Sequence, residues 1–142
     1  MTGPSAGTPP ALPPGTVVTP TKLGFDELFA RLELAVVANG LMLIAKPSAS
    51  RNAAARHVSI PGNGMLLAFN NDFALRVLEA SVAAGFEAPM RIYVTENPDQ
   101  TATATYRLAS ALFKPYETPA LDAVARDLDR LFAKIVAEAA GP

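Results

Sequence analysis

One stretch, "PMRIYVTENPDQTATATYRL" (Pro89 to Leu108), limits the fold more than any other. Met90, Ile92 and Val94 alternate with Arg91, Tyr93 and Thr95. After "ENPDQ", Ala102, Ala104, Tyr106 and Leu108 alternate with Thr103, Thr105 and Arg107. Period-two alternation on both sides of a turn predicts an antiparallel hairpin with one buried and one wet face. Arg91, Tyr93, Thr103, Thr105 and Arg107 then share the wet face, where two arginines and a tyrosine can hold a carboxylate in bidentate fashion. The same residues also read as ordinary solvated cross-strand pairs. Tyr106 has the buried parity, so its hydroxyl requires a buried partner or a cavity. A cavity bounded by Tyr106 and a helix is the expected pocket.

The remaining chain supplies material to cover the buried face. Thr16 to Lys22 reads as a short strand, and Pro20 places it at an edge. In "GFDELFARLELAVVANG" the apolar residues Phe25, Leu28, Phe29, Leu32, Ala35 and Val36 form a helical stripe. Asp26 and Glu27 complement the macrodipole in its first turn, and Asn39-Gly40 is a stop. Leu34 and Val37 fall off the stripe and suggest a second packing surface. Leu41 to Ala45 and Met65 to Phe69 are apolar strand candidates. Between them the alanines of "SASRNAAARHV" favour a short helix capped by Ser48 or Ser50. From Asp72 the positions Phe73, Ala74, Val77, Leu78 and Val82 predict another helix, stopped near Gly85.

The last helix is the strongest. Leu121, Val124, Ala125, Leu128, Leu131, Phe132, Ile135 and Val136 form one stripe, with Thr118 as cap and Pro119 in the first turn. Asp122 with Arg126, and Lys134 with Glu138, are spaced to pair on the wet side. The order is β-α-β-(α)-β-α-β-β-α. The fold class is therefore α+β, with a partly antiparallel sheet of four to five strands and helices packed on one face.

Composition sets limits on chemistry. Of the 142 residues, half are hydrophobic and 18% charged, which is the balance of a globular domain. There is no cysteine, which removes disulfides and thiolate chemistry. The single histidine, His57, excludes a multi-histidine metal site within one subunit. No cofactor or metal is indicated. The net charge of −1, with no basic run, argues against nucleic-acid binding. No apolar run approaches the roughly 20 residues of a membrane span. Residues 1–15 hold five prolines, three glycines and no charge, and are expected to be a flexible tail before a single domain at 16–142. They lack the basic and apolar regions of a signal peptide, so a cytoplasmic protein is expected unless an export signal was trimmed from a longer precursor.

Two further features are candidate sites. In "AFNNDF" the helix start at Asn70-Asn71-Asp72 reads first as a cap, with the Asn71 side-chain oxygen accepting a backbone N–H. The functional reading is an anion held by free N–H groups, which Asp72 opposes. His57, beside Arg56, reads as a surface histidine near a helix C-terminus. The competing reading is a general base or an axial haem ligand, for which a lone histidine is no specific signal.

Taken in order, several segments resemble a bacterial family, the domain of unknown function 302. "GFDELFARLELAVVANGL" resembles its opening helix, and "LLAFNND" its strand ending in Phe-Gly-Asn-Pro. "APMRIYVTEN" resembles its Leu-Pro-x-Arg strand, "TATYRL" its Ser-Tyr strand, and the amphipathic end helix completes the match from Thr16 to Ala139. The resemblance implies a compact α+β domain, often a homodimer, and no established reaction. It also marks departures. An Asp-His pair that follows the second strand in many members is replaced by Ala45-Lys46-Pro47. Asn70 stands for the family glycine, an exchange that a left-handed backbone tolerates. Asn71 and Tyr106 match the family asparagine and tyrosine.

The expected function is that of a non-enzymatic small domain that dimerises and binds a small apolar or acidic ligand. Asn71, Arg91, Tyr106, Arg107 and His57 are the candidate contacts. The alternative is an enzyme using acid–base chemistry at a cavity shared by Tyr106 and His57. The third reading, nucleic-acid binding, is disfavoured by charge. Homodimerisation is expected from Leu34 and Val37 and from a sheet edge offered by the hairpin.

Overall fold

The computed structural model describes residues 11–142. The elements are β1 (Thr16–Pro20), α1 (Phe25–Ala38), β2 (Met42–Ala45), α2 (Ala49–Ala55), β3 (Asn63–Phe69) and α3 (Asn71–Ala80). A 3-10 turn (Ala83–Glu87), β4 (Met90–Glu96), β5 (Ala102–Arg107), α4 (Ala109–Phe113), two further 3-10 turns and α5 (Asp122–Ala140) follow. The five strands form one sheet in the order β1-β5-β4-β3-β2, and every neighbouring pair is antiparallel. The fold is α+β, as the pattern predicts.

The hairpin lies inside this sheet. β5 is flanked by β1 and β4, and β4 by β3 and β5. The expected free edge at the hairpin is therefore absent. The edges are β1, where Pro20 belongs, and β2.

One face of the sheet carries the core. Leu66, Ile92, Val94, Ala102 and Ala104 are fully buried under helices whose Leu28, Phe29, Leu32, Leu128 and Ile135 are equally buried. Each large aliphatic side chain removed from water in this way contributes about 1.5–3 kcal/mol. The close approach of α1 to β3 depends on a missing side chain. A Cβ on Gly64 would lie 2.5 Å from Cε1 of Phe29. The opposite face is more open. There Arg91 and Tyr93 are exposed, and Val18, Met42 and Ile44 present apolar side chains to water.

Several local expectations change. α3 ends at Ala80 rather than near Gly85, because the chain turns extended at Ser81, whose φ is −163°. Of the positions assigned to its buried stripe, Val77 is buried, Leu78 is exposed and Val82, beyond the helix, is more exposed still. α4 is additional to the predicted order. Thr118 does not cap α5. It precedes a 3-10 turn, Pro119–Leu121, donates its hydroxyl to the carbonyl of Tyr116, and leaves α5 to begin at Asp122. Lys134 and Glu138 approach to 3.9 Å, whereas among the described residues Asp122 and Arg126 form no ion pair. Asp127 instead takes Arg76 of α3 at 2.8 Å.

The proposed tail divides. Residues 1–10 lie outside the described residues. Pro13, Pro14 and Gly15 are anchored. The carbonyl of Pro14 accepts from Nε and Nη2 of Arg107 at 3.2 and 3.0 Å, and Leu108 N–H donates to the carbonyl of Gly15 at 2.9 Å. Gly15 has φ +78° and faces the Ala111 side chain of α4 so closely that no Cβ fits. These contacts hold Pro14 and Gly15 against β5 and the start of α4. No helix among the described residues is long and apolar enough to cross a membrane.

Candidate functional site

Register brings the wet-face residues together. Tyr93 pairs with Met65 on one side and Thr105 on the other, and Thr16 pairs with Arg107. Around this patch lies an open cavity of about 590 Å³, lined among others by Arg91, Tyr93, Thr105, Tyr106 and Arg107. Its apolar wall comes from Met65, Met90, Pro89 and Phe86, with Leu112 of α4 and Leu12 and Pro13 of the anchored N-terminal segment. Both arginines line this largely apolar space. Thr103, grouped with them by parity, is buried and bonded to Asn97 instead.

The charges differ in their commitments. The Arg107 fork is engaged by Pro14. Among the described residues Arg91 has neither an ion-pair nor a hydrogen-bond partner, and it is exposed. Glu87, also on the wall, accepts a 2.6 Å hydrogen bond from the Tyr116 hydroxyl. That bond, with partial burial and the Glu87 charge, raises the Tyr116 phenol above its usual range. Tyr93 is fixed by an amide donor from Asn63.

Tyr106 joins the two faces. Its ring is buried and packs on Phe132 of α5 at 6.0 Å between centroids. The residue is also among those lining the cavity, and its hydroxyl, which bonds to none of the described residues, is not a buried orphan. Burial pushes this phenol up, and the charge of Asp129 adds to the effect.

The other candidates lie elsewhere. His57 is exposed and follows α2 with φ +63°. Its N–H donates to Ala54, and Val58 N–H donates to Ala53, at 2.9 Å each. This is the Schellman pattern, with His57 in the position usually given to glycine. α2 is tied by Ser48, its N-cap, to the Asn63 end of β3. Asn63 pairs with Thr95, and Thr95 with Thr103, three residues before Tyr106 on β5. The Tyr106 cavity does not include His57, so the acid–base pairing of these two residues has no shared site.

At the strand–helix junction the cap is Asn70, not Asn71. Asn70 Oδ1 accepts the N–H of Phe73 at 2.8 Å, and its Nδ2 donates to the carbonyl of Gly40 at 3.1 Å. Its backbone is extended (φ −146°, ψ 169°), so the expected left-handed geometry does not occur. Asn71 is the first helical residue and is exposed. Both asparagines border a second, smaller cavity of about 260 Å³ between β2 and α3. Sequence reasoning gave no sign of it. The exposed apolar Met42 and Ile44 on an edge strand are the signal that could have found it.

Among the described residues no three His, Asp or Glu side chains gather as metal ligands would. A sheet with one helix-covered face and one open, arginine-bearing face defines a small α+β domain. A family model described as "Domain of unknown function DUF302" matches residues 17–139, and the chain belongs to that family. A crystal structure of an uncharacterized conserved DUF302 protein from Bacillus stearothermophilus shares the fold, with a TM-score of 0.79 at 19% identity. The match covers 89% of this chain and 98% of that one. No curated protein matches the sequence significantly.

Proposed function

We propose that this domain binds a small organic anion with an apolar body on the open face of its sheet, without catalysing a reaction on it. The convergence of Arg91, Tyr93, Thr105, Tyr106 and Arg107 on one cavity of about 590 Å³ carries this reading. A volume of about 300–1,000 Å³ is typical of small-ligand sites. Arg91 supplies a guanidinium uncommitted among the described residues, and Arg107 a guanidinium already oriented by Pro14. Calorimetric titration with benzoate and hexanoate tests the reading. Saturable binding that weakens at least tenfold in Arg91→Ala supports it, and no heat from either acid overturns it.

Pairing of two copies belongs to the same reading. Leu34 and Val37 project from the outer side of α1, 71% and 60% exposed, where a two-fold partner would cover them. Such an interface lies on the helix side of the sheet and leaves the cavity open. Sedimentation of the wild type at twice the subunit mass, reduced to one in Leu34→Lys with Val37→Lys, is the expected result. A wild-type monomer at micromolar concentration ends this part of the proposal.

A further inference from the structure

The two cavities near the open face are neighbours, and Pro89 lines both. The turn before it forms a common wall, with Gly85 facing the smaller cavity and Phe86 and Glu87 the larger. We infer that they hold one elongated amphiphile, a monocarboxylate with an unbranched hydrocarbon chain. Its carboxylate lies at Arg91 and Arg107, and its chain crosses Pro89 into the pocket between β2 and α3. The inference rests on the anion-binding reading above and adds the class of ligand.

Charge sets the head group. The larger cavity is lined by two guanidinium groups and one carboxylate, Glu87, which Tyr116 holds in place. The surplus is one positive charge, which a monoanion neutralises. The smaller cavity sets the tail. Among the described residues no charged side chain lines it, and its walls are mainly Met42, Ile44, Phe69, Ala74, Val77 and Leu78. Asn70 offers little to a polar ligand there, because its oxygen is taken by Phe73 N–H and its amide by the Gly40 carbonyl.

Size and orientation agree. At about 260 Å³ the smaller pocket falls below the usual range for a ligand site of its own, about 300–1,000 Å³, but suits an annex to the larger one. Met42, Ile44 and Leu78 are 54%, 50% and 45% exposed, so a chain laid between them removes apolar surface from water on both sides. The reverse orientation places the carboxylate at the start of α3, beside Asp72 in its first turn, where like charge opposes it. Arg91 and Pro89 are two residues apart, about 7 Å of extended chain, so short acids cannot reach across and long ones can.

The test is a chain-length series. The full chain is titrated calorimetrically with hexanoate, decanoate and myristate below their micelle-forming concentrations. Affinity should rise steeply beyond hexanoate, by up to about fourfold for each fully covered methylene, the fold-change equivalent to about 0.8 kcal/mol. Ile44→Glu, and separately Leu78→Glu, both at exposed positions, should return myristate to the affinity of hexanoate while hexanoate is unaffected. Arg91→Ala should weaken all three acids by a common factor. A flat wild-type series with hexanoate still bound overturns the elongated ligand and leaves the anion site standing. A rise that both glutamate variants leave intact puts the chain elsewhere and also overturns it. If no acid of any length binds, the anion-binding reading itself falls.

Discussion

The two faces of the sheet are built to different rules. On the helix side, neighbouring strands present Leu66, Ile92, Val94 and Ala104 without exposed surface, and α1 approaches β3 until no side chain fits at Gly64. On the open side, the same strands present Arg91, Tyr93 and Thr105, with a cavity where the helix side has a packed core. The strands are shared, so residues one position apart serve different ends. Stability resides on the helix face, and the proposed recognition site lies on the other, where substitutions leave the packed core untouched.

The sharpest test exchanges neighbours. Ile92→Ala removes a fully buried side chain and should destabilise by about 2–5 kcal/mol in denaturant unfolding. Tyr93→Ala, next in sequence and 37% exposed, should cost less, about 1 kcal/mol, through the lost bond from Asn63. Equal losses would break the contrast, showing that the open face is itself covered, as a second copy could do.

Gly64→Ala probes the approach of α1. The added methyl meets Phe29 and should cost about 1–3 kcal/mol by overpacking. Phe29→Leu, harmful alone, should cost less in the Gly64→Ala background than in the wild type. Strict additivity would place the strain elsewhere.

These contrasts were partly legible in the sequence. The alternation from Met90 to Val94 and from Ala102 to Tyr106 gave the hairpin, its faces and the grouping of Arg91 with Arg107, because period two marks a sheet that is dry on one side only. The stripe from Val124 to Val136 gave α5. β2 marked no face, since its outward residues Met42 and Ile44 are as apolar as its inward Leu43. The hairpin's central position was not readable either, because strand order depends on which distant segments pair. α4 is only five residues long, too short for a helical period. The cavity's apolar wall was hidden for a related reason. Leu12, Phe86 and Leu112 come from segments with no shared periodicity and meet only in the folded chain.

The N-terminal rim sharpens the boundary of the open side. Two truncations, one removing residues 1–10 and one removing 1–15, should differ in unfolding free energy by about 1–2 kcal/mol. The second loses the carbonyls of Pro14 and Gly15 that accept from Arg107 and Leu108. It should also weaken ligand binding, because Arg107 loses its orienting partner. Identical stability for the two would show that these contacts contribute nothing.

The junction between β3 and α3 separates adjacent asparagines by role. Asn70→Ala removes the cap and the bond to Gly40, and should lower stability by about 1 kcal/mol. Asn71→Ala, on an exposed helical position, should shift it by no more than about 0.5 kcal/mol. A larger loss at Asn71 would return the cap to that residue.

The smallest effect tests the one residue that belongs to both faces. Tyr106 has its ring in the core against Phe132 and is also among the residues lining the open cavity. Burial, with the Asp129 charge, raises its phenol above the ordinary 10.0. A raised folded-state value means that the folded protein holds this proton more tightly than the unfolded chain. The resulting stability is complete below the unfolded phenol's value and is lost as pH rises through the folded one. Wild type should therefore weaken on titration from about pH 9 to pH 11, the range spanning a free tyrosine's ionisation. Tyr106→Phe should weaken less over that interval, keeping the ring contact while removing the ionisable oxygen. Tyr116, also raised, acts with the same sign, so Tyr116→Phe is the control that apportions the slope. Parallel wild-type and Tyr106→Phe profiles would mean that the hydroxyl is as well solvated as in the unfolded chain. Tyr106 would then open freely to water through the cavity, and the division between a dry face and a wet one would fail at this residue.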